Sequence, residues 1–384
     1  MSADFEKPKH VVIAGAGVIG LSTAYYLVKD HDLESITLVD PTGRIAPAAS
    51  GKAGGFLALD WNDGTTAGPL ARRSFQLHQQ LADDLGAERI DYRRLSCVTI
   101  PVDAMRDSKP TGKKLANIEW AEGSSVRSLG DTSTIAQVHP KKLCEALWEA
   151  VASRSKLLKG SVVGASHAED GSLQGATLSD GSVVDCDAVL FACGPWTSGA
   201  MLGIKYHSVV LPTPRVYSQC VFFSGAGDPE VYVRPDQTAY CTGFPEAPRR
   251  VTEKPGEESL DPKKLQAIKE SVKVASQVWS GETPEDTTSA VGLGDVPVLE
   301  QACYLPSTPD GVPMMGELST DVCGGRSCYV AAGHSCWGIL MGPASGEAMA
   351  SLIATGKSAV IDLEEFDPSR YQSMLKPMAS EQIL

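Results

Sequence analysis

The 384-residue chain lacks every pattern that would turn its cysteines into a scaffold or a metal centre. Its ten cysteines include no CxxC pair and no Cys/His cluster at zinc spacing. Apolar runs are short as well. None approaches the ~20 residues that a bilayer requires, so no membrane span is expected. The opening MSADFEKPKH is polar and leaves no room for a secretory h-region, and the closing QIL is neither a peroxisomal nor an ER-retention tripeptide. A cytoplasmic location with reduced thiols is therefore expected. Positive charge is also in deficit. The formal net charge of −13 opposes nucleic-acid backbones and anionic membranes as partners. Internal repeats and low-complexity tracts are absent too. Cys323 and Cys328, in the segment CGGRSC, read as a plain surface hairpin rather than a redox pair.

What remains is ordinary globular composition, 42% hydrophobic and 21% charged, long enough for about two domains. Val11–Ala14 reads as a buried strand, Leu21–Lys29 as a helix and Ile36–Val39 as a second strand. Such a βαβ opening predicts a parallel sheet. Further helices are expected over Ala67–Leu85, Lys141–Ser153, Pro262–Val278 and Pro343–Ile353. Tyr92–Pro101 and Ile135–Val138 read as strands around a polar insertion, Asp103–Ser133. Gly160–Ala168, Ala176–Leu178 and Val183–Val184 read as short strands separated by turns. Ala188–Ala192 and Cys328–Ala332 read as buried strands, Val209–Tyr240 as alternating antiparallel ones, and Cys303–Pro313 as a loop.

The first chemical motif is Gly15-Ala16-Gly17-Val18-Ile19-Gly20, directly after the first strand. A diphosphate needs backbone N–H donors at close range, and side chains there would block it. Gly15 permits the tight turn, Gly17 the close approach and Gly20 the packing of helix on strand. The helix N-terminus adds partial positive charge beneath the phosphates. Asp40 closes the second strand about twenty residues further on, where its carboxylate can accept ribose hydroxyls. The pattern specifies dinucleotide binding without choosing between FAD and NAD.

That choice comes from a resemblance. AASGKAGG (Ala48–Gly55), ACGPW (Ala192–Trp196), YLPSTPDGVPMMGE (Tyr304–Glu317) and AAGHSCWGILMGPASGE (Ala331–Glu347) follow GAGVIG in the order seen in one family. Over nearly its whole length the chain resembles the D-amino acid oxidase, glycine oxidase and sarcosine oxidase family. GKAGGFLA and GHSCWGI are most similar to a fungal and plant branch of it. The implied fold is α/β, a Rossmann-like FAD-binding domain with an inserted, mostly antiparallel substrate domain. The expected division is residues 1–90, 139–211 and 303–384 for the first domain, and 91–138 and 212–302 for the second.

The resemblance implies FAD held by Gly15 to Gly20, Asp40 and Pro41. Ala49, Ser50, Lys52, Ala53, Gly54 and Gly55 would run along the pyrophosphate toward the flavin ring. Val162 and Val163 would meet the adenine, and Cys193, Gly194 and Trp196 would form the matching strand end. Gly333, His334, Cys336, Trp337, Gly338, Ile339 and Leu340 would approach the isoalloxazine, with His334 and Trp337 as the catalytic candidates. Free N–H groups of this turn would face N1 and the C2 carbonyl, where negative charge gathers on reduction. Cys303 stands seven residues before Asp310, at the spacing of the flavin-linked cysteine of monomeric sarcosine oxidase, so a covalent thioether is a further implication.

The implied activity is oxidation of a C–N bond in an amine or amino-acid derivative, with O2 as second substrate. Two positions depart from the pattern. Leu305 and Leu340 stand where the family places the arginine or lysine that holds a substrate carboxylate. An unpaired carboxylate buried there would cost several kcal/mol, so a simple amino acid in the standard pose is not expected. Lys52, Arg215, Arg234 and His334 are alternative anchors. The missing anchors, with a yeast member of the branch linked to endosomal sorting, also imply a second reading: an FAD-stabilised binding protein in intracellular sorting. A nicotinamide-dependent dehydrogenase is a third, but it leaves GKAGG and GHSCWGI without a role.

Overall fold

The apolar run His10–Ala14 lies inside a six-stranded sheet, with both faces covered, which is why it shows no polar alternation. The computed structural model that places it describes residues 5–375 except 102–114, 116, 117, 119, 124, 198, 199, 226 and 277–298. Ser35–Asp40 and Ala188–Phe191 flank the strand in parallel, followed outward by Ser155–Lys159 and Cys328–Ala332. Met314–Glu317 closes one edge antiparallel. The parallel core expected from the βαβ opening is present.

Two helices cover this sheet side by side. Val18–Lys29 and Gly338–Thr355 meet where Gly342 touches Val18 and Gly346 touches Ser22 and Thr23. A side chain at Gly346 would stand 2.5 Å from the Ser22 carbonyl carbon, so only glycine allows this approach. The matching steps, 18 with 342 and 22 with 346, make the helices parallel. Their N-termini therefore point the same way.

The second of these helices starts five residues before the expected Pro343. Proline is usually read as a helix start because it lacks an N–H. Here it sits inside the helix, and the break is repaired from Gly68–Leu85. His78 Nε2 lies 2.9 Å from the Ile339 carbonyl that Pro343 cannot serve, and the Ala344 N–H donates to Ser74 Oγ at 3.0 Å. Burial lowers the His78 pKa to about 4 against the opposing pull of these carbonyls, so the ring is a neutral donor.

A second, seven-stranded sheet runs in the order Leu299–Ser307, Leu202–Pro212, Thr238–Gly243, Glu230–Val233, Gln219–Ser224, Ser96–Pro101, Arg127–Gly130. It is antiparallel except for Gln219–Ser224 against Ser96–Pro101. The loop expected over Cys303–Pro313 is thus strand as far as Ser307. Its partner Leu202–Pro212 lies almost a hundred residues earlier and supplies the pairing that local sequence did not reveal. Both strands lie in the second sheet, although residues 202–211 and 303–307 fall in the expected first domain. Helix Pro262–Ala275 packs its Leu265, Ile268 and Val272 on the outer face of this sheet. Val278, the expected helix end, and most of the insertion Asp103–Ser133 lie outside the described residues.

The expected surface hairpin at Cys323 and Cys328 is not formed. Cys323 ends the short helix Thr320–Cys323, Cys328 begins an inner strand, and both are buried. Cys323 Sγ approaches the Gly325 carbonyl at 3.0 Å, while Cys328 Sγ lies 3.8 Å from His167 Nε2. Among the described residues no helix is long and apolar enough to cross a membrane.

Candidate cofactor and active site

The first strand ends at Gly15, whose φ of +104° turns the chain sharply into the helix. A side chain there would collide with the Ala192 carbonyl at the end of the neighbouring strand. Gly17 caps the helix with no side-chain hydrogen bond of its own. Ser50 Oγ instead accepts from the Val18 N–H at 3.0 Å. Asp40 is buried, with Oδ2 3.3 Å from the Ala16 N–H and Oδ1 accepting from Thr42 N and Oγ1 at 2.9 and 2.6 Å. The carboxylate thereby fixes the glycine turn while still edging the cleft.

Of the residues expected to hold a dinucleotide, the cleft wall is formed by Gly15 to Ile19, Asp40, Pro41, Ala49, Ser50, Ala53 and Val162. Cys193, Gly194, Trp196, His334, Cys336, Gly338 and Ile339 complete it. The others stand behind or beyond it. Gly20 packs under Gly15, and Gly54 packs against the Tyr232 and Tyr240 rings. Gly55, with φ +87°, passes close to the Val138 carbonyl. Val163 follows Val162 on a strand, and alternation turns its side chain the other way. Leu340 is buried in the main core. Cys303 is buried in the second sheet opposite Tyr206, and burial pushes its thiol up to about 12 despite nearby Lys52.

The turn before the second helix is built from left-handed backbone, Gly333 at φ +88° and Ser335 at φ +50°. His334 is 2% exposed, and its Nε2 lies 2.9 Å from Ser345 Oγ, one helical turn and more inside the following helix. Burial lowers its pKa to about 4, so the imidazole is neutral. Through Ser345 the ring anchors the turn, and His334 also forms part of the cleft wall. Trp337 keeps partial exposure and meets Trp61 edge to face at 6.3 Å.

A segment far away in sequence crosses this cleft, and no local motif reveals it. Pro255 joins the cleft wall, and Trp196 Nε1 donates to the Glu253 carbonyl at 2.7 Å. The Glu253 carboxylate accepts from Lys205 Nζ at 2.9 Å and from the Ser259 and Tyr304 hydroxyls. Desolvation opposes ionisation of Glu253, yet these donors outweigh it and hold the pKa at about 2. Glu258 ion-pairs with Lys52 at 2.5 Å, and Lys52 also donates to the Ala302 carbonyl at 3.0 Å. The polar, irregular stretch Pro245–Asp261 is therefore a strap tied to the seven-stranded sheet, to Lys52 and to the turn at Trp196. Glu253→Leu should leave Lys205, 3% exposed, buried without its counter-charge. A loss of about 3 kcal/mol in urea unfolding is expected, with weaker flavin retention because the strap whose main-chain carbonyl holds Trp196 loses its side-chain ties. Unchanged stability would contradict the strap.

Two helix N-termini, neither capped by the side chain of its own N-cap residue, thus open into one cleft. The first suits a diphosphate, and the second suits a ring system that gains negative charge. Comparison with known proteins covers almost the whole length of the chain. Residues 10–352 match the family model described as FAD dependent oxidoreductase. The Schizosaccharomyces pombe protein C1F5.03c is 30% identical, covering 94% of this chain and 98% of its own. A glycine oxidase of Bacillus licheniformis is 24% identical, covering 94% and 98%. The crystal structure of glycine oxidase from Geobacillus kaustophilus superposes with a TM-score of 0.71 at 19% identity, covering 94% and 98%. With matches of this extent laid over a glycine turn and a ring-facing helix that both suit a flavin dinucleotide, the chain belongs to the family of FAD-dependent oxidoreductases, and FAD is its cofactor.

Proposed function

We propose that the protein oxidises the C–N bond of an amine, in the space between the Gly333–Ile339 turn and the inner face of the seven-stranded sheet. Bound FAD would supply hydride acceptance at N5 and reoxidation by O2 to H2O2, the substrate becoming an imine that water hydrolyses. The observation that carries this reading is the convergence of two helix N-termini on one cleft whose far end meets that sheet.

In this reading Gly15 to Ile19 and Ser50 hold the diphosphate, Asp40 the ribose, and Ser161 with Val162 the adenine. Cys193, Gly194 and Trp196 wall the middle of the cofactor, and Ser335 to Ile339 the flavin ring. His334 positions the turn through Ser345, and Trp337 walls the substrate space through Trp61. Neither transfers a proton. A neutral amine expels hydride with its own lone pair, so no separate acid/base dyad is needed. Cys303 remains a protonated, buried thiol, and the flavin is held without a covalent bond.

Anaerobic mixing of the holoenzyme with a panel of primary and secondary amines tests the reading. At least one amine should bleach the oxidised-flavin absorption, and admission of air should restore it with one H2O2 per cycle. A flavin that stays oxidised across the panel would overturn the proposal.

A further inference from the structure

The seven-stranded sheet has two unlike faces, and the strand register sorts them. Val209, Leu211, Val221, Val231, Val233, Ala239 and Cys241 face outward and are buried with helix Pro262–Ala275. The inner face is set by Leu305, which joins the cleft wall. Through the register Leu305–Ile204, Cys303–Tyr206 and Gln301–Ser208, that face continues to Thr242, Tyr240, Glu230, Tyr232 and Phe222. Among the described residues of these five strands it bears one charged side chain, Glu230.

Aromatic rings surround that carboxylate. Tyr232, on the same strand, donates its hydroxyl to Glu230 Oε2 and stacks between Phe56 at 5.5 Å and Tyr240 at 5.7 Å. Phe222, paired directly with Glu230, packs on Trp61 at 5.2 Å, and Trp61 reaches Trp337 beside the flavin turn. The Glu230 charge is felt at Tyr206 and at Cys336, which lies in the cleft wall. Glu230, Tyr206, Phe56, Trp61, Phe222 and Trp337 all keep partial exposure.

Of the cations that could hold a carboxylate, Lys52 is paired with Glu258, Arg215 lies over the Tyr217 ring, and His334 is neutral against Ser345. Arg234 donates to the Ala53 carbonyl and lies over the Tyr240 ring with its Nε unpartnered, two residues beyond Tyr232 on the side away from Glu230. Beside Glu230 an anionic substrate group would meet aromatic faces, aliphatic chains and a carboxylate. A cation would meet an opposite charge, already oriented by a tyrosine hydroxyl, and ring faces whose quadrupoles attract it.

We infer that the substrate is a carboxylate-free amine that enters as its ammonium ion, with Glu230 as counter-ion and Phe56, Trp61, Phe222 and Tyr232 as an aromatic enclosure. Before oxidation one ammonium proton passes to a Glu230 oxygen. The carboxylate becomes a neutral acid and the amine regains its lone pair. Burial raises the Glu230 pKa and favours this transfer. The inference rests on the amine-oxidation reading and narrows it to one substrate class.

Two non-oxidisable probes test it on the holoenzyme, benzyltrimethylammonium and benzoate, through the shift each causes in the flavin absorption spectrum. The ammonium should bind and benzoate should not. Glu230→Gln should weaken ammonium binding about 100-fold, Glu230→Asp should restore part of it, and Trp61→Leu should weaken it several-fold. Flavin content and circular dichroism of each variant establish that it is folded. If Glu230→Gln loses its flavin, the aspartate and leucine variants decide. Benzoate binding in preference to the ammonium, neither probe binding, or ammonium binding indifferent to Glu230 would each overturn the inference. These are binding results, so they remain distinct from failure of every amine to reduce the flavin, which would sink the broader reading.

Discussion

Gly17→Val should give a folded, colourless protein. The backbone at Gly17 has φ −85°, which any residue adopts, and an added Cβ meets only the Ser50 hydroxyl at 3.1 Å. The fold therefore has no reason to fail. The cleft does, because the branched side chain occupies the space through which a diphosphate must approach the first helix turn. Flavin absorbance per mole of purified protein should fall to near zero. Far-UV circular dichroism should match that of wild-type protein stripped of FAD. Gly15→Val is the informative contrast. There the positive φ and the Ala192 carbonyl forbid a side chain, so the strand end itself should be damaged and stability lost with the flavin. A fully yellow Gly17→Val protein would contradict the assignment of this turn to the cofactor. Acid precipitation of the wild type should release its flavin to the supernatant, since the Cys303 thiol is held protonated.

Stability should also drop steeply in mild acid. His78 and His334 are 0% and 2% exposed, and both have folded pKa values of about 4 against an unfolded value of 6.5. Between those limits the unfolded chain binds more protons than the folded one, so stability rises with pH there. The contribution is complete above about pH 6.5 and is lost as the pH falls through 4. The shift is worth roughly 3 kcal/mol per histidine, as an order of magnitude. Glu253 acts in a separate, lower window, between its unfolded 4.5 and about 2. Burial also lowers His139 to about 4, so urea unfolding at a series of pH values should show a slope near three protons between pH 6 and 4.5. His334→Gln should remove about one of them. A flat profile over that range would show that the rings are not held neutral by burial. The two histidines brace the same helix, one at Ser345 and one at the carbonyl left free by Pro343. Flavin release is therefore expected to accompany the acid transition.

Much of the cofactor site is local in sequence, and for that reason legible there. Gly15, Gly17, Gly20 and Asp40 lie within a single βαβ unit. Their roles follow from the backbone geometry of a strand, a tight turn and a helix start, each fixed by neighbours a few residues away. The apolar strands and the parallel sheet were legible on the same ground, because burial on both faces writes a continuous apolar run. That Leu305 and Leu340 stand at the family's carboxylate-anchor positions is an implication of the resemblance; the structure puts Leu305 in the cleft wall and Leu340 in the core.

Other features depend on partners distant in the chain, and sequence pattern carries no record of distance. Leu299–Ser307 is a strand only because Leu202–Pro212 pairs with it. Pro343 sits inside a helix only because Ser74 and His78 supply what it lacks. The irregular segment around Glu253 and Glu258 becomes a strap through Lys205, Tyr304 and Lys52. Glu230 is one acid among 47 acidic residues in the sequence. The register of five strands is what turns it inward among aromatic rings. The chain by itself determined a glycine turn suited to a dinucleotide's diphosphate. Folding decided which side chains stand at the far end of the cleft, because those side chains meet only when distant strands pair.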